Sequence, residues 1–167
     1  MTLVIGIVGI LLILSLAAAT NAMGRSALRS AETVLVQTLR RAQILAQTNV
    51  GGARWGIYIC VKPSTAECVS GGTEAPASVI LFKRSAFVTW DKAADEVFEV
   101  NAKIVFTDST DPLNLYHAMK TGHKGLAFTQ IAGEPRCDTS ACAGDIILSL
   151  NNEQRKMTVN AKGVVEH

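Results

Sequence analysis

The residues of this chain best suited to covalent or metal chemistry are its four cysteines, Cys60, Cys68, Cys137 and Cys142. The close pairs, Cys60 with Cys68 and Cys137 with Cys142, each flank residues of the loop-forming Gly, Pro, Ser and Thr type, as expected of a disulfide across a turn. Four cysteines allow three pairings, and we favour the two local ones, which would place the domain in an oxidising exterior. A four-cysteine zinc site is the alternative, although the intervals of eight and five residues differ from the usual spacing of zinc ligands.

Other residues with catalytic or metal-binding chemistry are scarce. His117 and His123 lie near Asp111, but the surrounding stretch, Asp108–Lys124, has the composition of a solvated loop, which we prefer to a metal site. The sequence contains no G-x-S-x-G, Walker-type or H-E-x-x-H motif. We therefore expect no enzymatic activity, no cofactor and no bound metal.

Basic residues are the remaining candidates for ligand contacts. A patch for DNA could be built from Lys83, Arg84, Lys120, Lys124, Arg155 and Lys156. Acidic residues are interleaved with them, and the formal net charge is only +2, so we interpret them as a solvated surface. Nucleic-acid binding stays open as an alternative.

These residues belong to a chain whose first 24 residues carry no charged side chain and no histidine. A helix over Met1–Gly24 would reach roughly 36 Å, enough to cross a hydrocarbon core of about 30 Å. No basic segment precedes the run and the helical pattern continues beyond it, so we interpret it as a retained helix. The small residues Ala17, Ala18 and Ala19 leave signal-peptide cleavage as an alternative.

Residues 25–52 are predicted to continue this helix in amphipathic form. Apolar residues recur there at spacings of three and four and form one stripe: Leu28, Ala31, Leu35, Leu39, Ala42 and Ala46. Mostly outside this stripe lie four arginines, Arg25, Arg29, Arg40 and Arg41. Such a stripe should pack on a sheet. We expect Val50-Gly51-Gly52 to end the helix and Asn21–Gly24 to be its weakest point, because Asn and Gly are poor helix formers.

Residues 53–167 read as a β domain, because short apolar runs alternate there with Gly, Pro, Asn and Asp. The strand candidates are Trp55–Val61, Ser78–Lys83, Val97–Val100, Ile104–Phe106, Leu126–Ile131, Asp145–Leu150, Lys156–Asn160 and Val164–Val165. Asn151 and Asn152 predict a turn. The expected fold class is α+β: a long N-terminal helix, apolar over residues 1–24 and amphipathic over 25–52, packed on an antiparallel sheet.

Two segments of the chain resemble a known family. Met1-Thr2-Leu3-Val4, followed by an unbroken apolar run and a charged helix, resembles the mature N-terminus of type IV pilins and pseudopilins. The C-terminal pattern of Gly144–Leu148, Arg155–Val159 and Gly163–Val165 resembles H-type pseudopilins and related minor pilins. The family usually has Glu at its fifth residue. This chain has Ile5, so the contact of that Glu with a neighbouring amino terminus is not carried over.

The resemblance implies the lollipop-shaped pilin fold and a structural subunit of a type IV pilus or a similar filament on the bacterial cell surface. Before assembly, the subunit would be held in the inner membrane. Prepilin peptidase would remove a short basic leader encoded ahead of Met1, and Met1 would then be N-methylated. Separate machinery would drive assembly. The residues implied in polymerisation are Met1, Thr2, Leu3, Val4, Ile5, Ile7, Val8, Ile10, Leu11, Leu12, Leu14 and Leu16.

Three alternatives remain at this stage. The chain could be a minor pilin or type II secretion pseudopilin that initiates or tips a filament, or a membrane-anchored binding module that never polymerises. It could also be a pilin that captures DNA. Roles in adhesion, motility, DNA uptake and secretion are all compatible with the sequence.

Overall fold

The computed structural model describes residues 2–60, 69–70, 73–74, 78–85, 89–90, 95–101, 103–107, 126–137, 140–141, 143–151 and 153–166. For residues 2–21, and for several of the shortest strands, it describes the backbone alone. The predicted disulfide partners Cys68 and Cys142 and the stretch Asp108–Lys124 lie outside the described residues.

One helix, α1, runs without interruption over Thr2–Gln47, which corresponds to roughly 69 Å at the standard rise. It passes through Asn21–Gly24, the expected weak point, as regular helix. It ends before the predicted stop: Asn49 takes the left-handed conformation with φ of 52°, and a 3₁₀ turn follows at Val50–Gly52. Asparagine tolerates this conformation because its short polar side chain can form local hydrogen bonds.

The strands of the described residues form three antiparallel sheets. The strand bounds are β1 Arg54–Cys60, β2 Val69–Ser70, β3 Thr73–Glu74, β4 Ser78–Ser85, β5 Thr89–Trp90, β6 Glu96–Glu99, β7 Val105–Thr107, β8 Leu126–Phe128, β9 Pro135–Cys137, β10 Ser140–Ala141, β11 Gly144–Leu150, β12 Glu153–Val159 and β13 Val165–Glu166. The larger sheet has the order β10-β9-β8-β1-β4-β5, with β6 also paired to β4. The second sheet has the order β13-β12-β11-β7, and β2 and β3 pair alone. The fold is therefore α+β, with an N-terminal helix packed on antiparallel sheets.

Each predicted strand overlaps an observed one, but two expectations need correction. The single predicted sheet is divided into separate sheets, because β7 pairs with β11 and not with its sequence neighbour β6. The predicted strand Leu126–Ile131 ends at Phe128, since Ile131 lies in a turn with φ of 69°. There its N–H donates to the Ala46 carbonyl at 3.1 Å, which also accepts from the Asn49 N–H, so this turn is bonded to the end of α1.

The main core lies between α1 and the two larger sheets. Ile57 of β1, Ile146 of β11 and Met157 of β12 are fully buried against it. The predicted apolar stripe of α1 is confirmed, because no member is more than 3% exposed: Leu28, Ala31, Leu35, Leu39, Ala42 and Ala46. The four arginines predicted to lie off this stripe are exposed. Burial of one helix face thus fixes the rotation of α1 on the sheets.

The opposite face of the larger sheet holds a second buried cluster around Tyr58 and Phe82, whose ring centroids are 5.9 Å apart. Gly56 pairs with Phe82 in β4 and with Ala127 in β8. A Cβ on Gly56 would lie 2.4 Å from the Leu126 carbonyl oxygen, closer than any normal contact. Glycine at this position therefore allows β8 to pair with β1.

Candidate functional site

Helix α1 is the candidate functional element, because the predicted assembly residues lie on it. Met1 is outside the described residues, and of Thr2–Leu16 only the backbone is described, as helix continuous with the rest of α1. Within the described residues, no helix combines the length and the apolarity needed to cross a bilayer. The polymerisation role of this segment stays a prediction.

The β11–β12 hairpin makes the first described contacts with α1, at Gly24 and Arg25. A Cβ on Gly24 would stand in ordinary contact with Leu150, 3.8 Å from its Cδ2 atom. Arg25 Nε donates to Glu153 Oε1 at 2.9 Å, and both side chains are about half exposed. Asn151, with φ of 56°, forms the predicted turn of this hairpin. Among the described residues, the hairpin turn therefore marks the end of the domain along α1.

Further along α1, the hairpin makes a second ion pair. Arg155 Nη1 of β12 lies 3.4 Å from Glu32 Oε2, and the Glu32 side chain is only 13% exposed. On another side of the helix, Arg41 Nη2 donates to Glu96 Oε1 of β6 at 2.7 Å. Neither Arg29 nor Arg40 has a carboxylate within ion-pair distance among the described residues.

Gln43 attaches the other end of α1 to both sheets. Its Nε2 atom donates to the Gly133 carbonyl at 3.1 Å and to the Lys162 carbonyl at 3.2 Å. The first acceptor lies in the β8–β9 turn of the larger sheet, and the second in the β12–β13 turn of the smaller one. Gly163, with φ of 79°, lets the second turn approach, since a Cβ there would be 2.7 Å from Gln43 Nε2. The role of Gln43 could not be predicted from the sequence, because one glutamine on a helix carries no periodic signal.

A cleft of about 130 Å³ lies between α1 and β6, lined by Val34, Gln37, Thr38, Arg41 and Phe98. Ligand pockets usually have volumes of about 300 Å³ or more. The Thr38 hydroxyl donates to the Val34 carbonyl of its own helix, and Arg41 is paired with Glu96. The cleft is therefore a poor candidate for a small-molecule site.

The predicted cysteine and histidine sites lie partly or wholly outside the described residues. Cys60 lies at the end of β1 and Cys137 at the end of β9, but the disulfide prediction depends on Cys68 and Cys142, outside the described residues. His117, His123 and Asp111, together with Lys120 and Lys124, also lie outside them. In the part of the chain that is described, no group of three or more His, Cys, Asp or Glu residues could bind a metal ion.

Two members of the proposed DNA patch have acidic partners. Arg155 is paired with Glu32, and Lys156 Nζ lies 2.8 Å from Asp145 Oδ2. The hydrogen bonds from Lys156 and from the Thr158 hydroxyl, at 2.7 Å, hold the pKa of Asp145 below its usual value of 3.8. Salt bridges therefore reduce the positive charge that this strand can offer to DNA.

Helix α1 is thus attached to the sheets at both ends of the domain. The side chains of its apolar first half are not among those that the structure describes. Comparison of the chain with protein-family models, with curated proteins and with solved structures finds no match.

Proposed function

We propose that this chain is a structural subunit of a type IV pilus or a similar filament, polymerising through the first half of α1. One observation carries the proposal. The helix is continuous over Thr2–Gln47, its second half packs on the sheets, and the sequence before Gly24 is free of charge. The pilin fold and the localisation, inner membrane first and cell surface later, belong to the same proposal.

A helix that is apolar on all sides needs apolar surroundings. Between Leu3 and Leu16 the chain has eleven Leu, Ile and Val residues. Full burial of each contributes about 1.5 kcal/mol or more, so burying this segment contributes roughly 15 kcal/mol before ordering costs are subtracted. Lipid provides such surroundings before assembly, and the same helices of neighbouring copies provide them afterwards. Contacts that repeat head-to-tail without closing produce a helical polymer.

Because α1 is attached to the sheets at two places, the position of the helix determines the position of the β domain. Arg25 is paired at one end of the domain and Gln43 is hydrogen-bonded at the other, 18 residues later in the helix. Packing of the first half of α1 in a filament would therefore set the orientation of the whole β domain. This property suits a subunit that must occupy equivalent positions along a fibre.

Electron microscopy of filaments sheared from cells, combined with mass spectrometry, tests the proposal. We expect thin fibres that consist mainly of this chain and begin at an N-methylated Met1. Val8→Asp should abolish the fibres, because a buried carboxylate in an apolar helix bundle is strongly unfavourable. Val105→Asp is the matched control: Val105 lies in β7 and is 53% exposed, so fibres should persist. Wild-type cells without fibres of this chain would refute the filament proposal.

The minor pilin or pseudopilin is the second candidate. Two of the three parts of the C-terminal pattern fall on β11 and β12, the two strands whose hairpin contacts Gly24 and Arg25. The two candidates differ in stoichiometry. Fibres that contain only traces of this chain, and that disappear when it is deleted, would favour the minor subunit.

A further inference from the structure

The exposed residues at the end of the domain nearest the apolar run include Met23, Arg25, Arg29, Lys103 and Asn151. We call these five residues the basal surface. We propose that the basal surface docks on the phosphate groups of anionic phospholipids while the subunit is held in the membrane. This inference rests on the proposed function, because the apolar run must first place this end of the domain at the bilayer surface.

The helical part of the basal surface combines one apolar and two cationic side chains. Met23 is 72% exposed, although it is large and apolar, and it directly precedes the first contact of α1 with the domain. Side chains on a helix lean toward its N-terminus. Arg25 and Arg29 therefore lean toward the apolar run, as arginines do at a membrane interface. Guanidinium groups bind phosphate through paired hydrogen bonds.

Lys103 extends this charge across the end of the smaller sheet. β7 runs antiparallel to β11, with Val105 opposite Ser149. Lys103 precedes β7, so it lies at the same end of the sheet as the Asn151 turn. Lys103 therefore lies beside the Asn151 turn, within the basal surface.

The described carboxylates near this end offset only part of its positive charge. Glu153 is paired with Arg25 and offsets the charge of that one arginine. Glu99 lies on the face of β6 that points away from α1, because Phe98 packs on the core and side chains alternate along a strand. Arg29 and Lys103 have no carboxylate within ion-pair distance among the described residues. An anionic surface is the complementary partner.

Arg40 provides a matched control for Arg29. Both are exposed arginines on α1, neither has a described ion-pair partner, and they point in nearly the same direction around the helix. Arg29 lies about 8 Å along the axis from Gly24, whereas Arg40 lies about 24 Å away. Electrostatic attraction to a charged membrane fades over about 8 Å at physiological salt. The membrane should therefore attract Arg29 more strongly than Arg40.

The experiment uses the full chain in nanodiscs of phosphatidylcholine with or without phosphatidylglycerol. A paramagnetic headgroup lipid broadens the NMR signals of amides close to the bilayer, and the broadening at Asn151 and Lys103 measures the docked fraction. Each cation near an anionic membrane changes the docking equilibrium about fivefold. We expect phosphatidylglycerol to increase docking, Arg29→Gln to reduce the docked-to-undocked ratio about fivefold, and Arg40→Gln to leave it unchanged.

Equal behaviour of Arg29→Gln and Arg40→Gln would overturn the inference, as would docking that ignores phosphatidylglycerol. Lys103→Gln gives an independent check on a different element and should reduce docking by a similar factor. If Arg29→Gln lowers the yield of fibres but leaves docking intact, the partner of Arg29 is a neighbouring subunit and the membrane inference is wrong. Docking without any wild-type fibres would contradict the proposed function alone.

Discussion

Replacement of Gln43 by Ala should loosen the attachment of α1 to both sheets. The Gln43 amide donates two hydrogen bonds, at 3.1 Å to Gly133 and at 3.2 Å to Lys162. These acceptors lie in turns of different sheets, so one side chain connects three parts of the fold. Alanine is a better helix former than glutamine, so α1 itself should remain intact.

The magnitude follows from the surroundings of the two acceptors. Gly133 is buried, so its carbonyl would lose a partner without gaining water, at a cost of about 1.5 kcal/mol. Lys162 is exposed, so its carbonyl would be rehydrated and the loss would be about 0.5 kcal/mol. The free energy of unfolding should therefore fall by about 2 kcal/mol. For a domain of this size, the corresponding decrease in Tm is about 8 °C.

Thermal unfolding of the full chain in detergent micelles measures this effect. The fluorescence of Trp55 is a suitable signal, because its indole N–H donates to the Val50 carbonyl just after α1. Gln37→Ala is the matched control, since Gln37 is an exposed glutamine of the same helix without a described hydrogen bond from its side chain. Gln43→Glu keeps the shape but removes the donor, and it should destabilise at least as much as Gln43→Ala. Equal Tm values for the Gln43 and Gln37 variants would refute the role of Gln43.

Three other predictions concern the same domain in micelles. The folded-state pKa of Asp145 lies below its usual value of 3.8, so its interaction with Lys156 stabilises the domain above that pH and is lost as the pH falls through the lower pKa. Asp145→Asn should therefore be less stable than wild type at neutral pH and equally stable in strong acid, and a constant difference in unfolding curves would contradict this. Gly56→Ala should lower the free energy of unfolding by about 3 kcal/mol, because the new Cβ would meet the Leu126 carbonyl; an unchanged Tm would exclude that clash. Ile131→Asn should raise the Tm by about 4 °C, because asparagine relieves about 1 kcal/mol of strain at a φ of 69°, and a decrease would count against strain there.

Short-range patterns in the sequence account for much of the fold. The buried stripe of α1 could be predicted in full because its spacing of three and four residues belongs to the helix itself. Most strand positions could be predicted for the same reason, since apolar residues alternate along each strand. The turn at Asn151 follows from the tolerance of asparagine for positive φ.

What could not be predicted depends on partners that are distant in sequence. The choice of β11 as the partner of β7 separates the two larger sheets, and no local pattern encodes it. The strands β2, β3, β5 and β10 have two residues each, too few to display alternation. Ile131 looked like the end of a strand because it is β-branched, whereas the turn depends on hydrogen bonds within residues 129–134 and on the bond from Ile131 to Ala46. Gln43 belongs to the same class, because its role depends on two turns that follow some 90 residues later or more.

The continuity of α1 through Asn21–Gly24 links these observations to the proposed function. Asparagine and glycine each weaken a helix by up to about 1 kcal/mol, so local propensity favours a break where the apolar run meets the amphipathic half. The β11–β12 hairpin supports the helix at this point, with Leu150 next to Gly24 and Glu153 bonded to Arg25. Tertiary contacts thus maintain the helix where its own sequence is weakest. Under the proposed function, loss of this support would let the apolar half bend independently of the domain, and packing between neighbouring subunits would no longer fix the positions of their β domains.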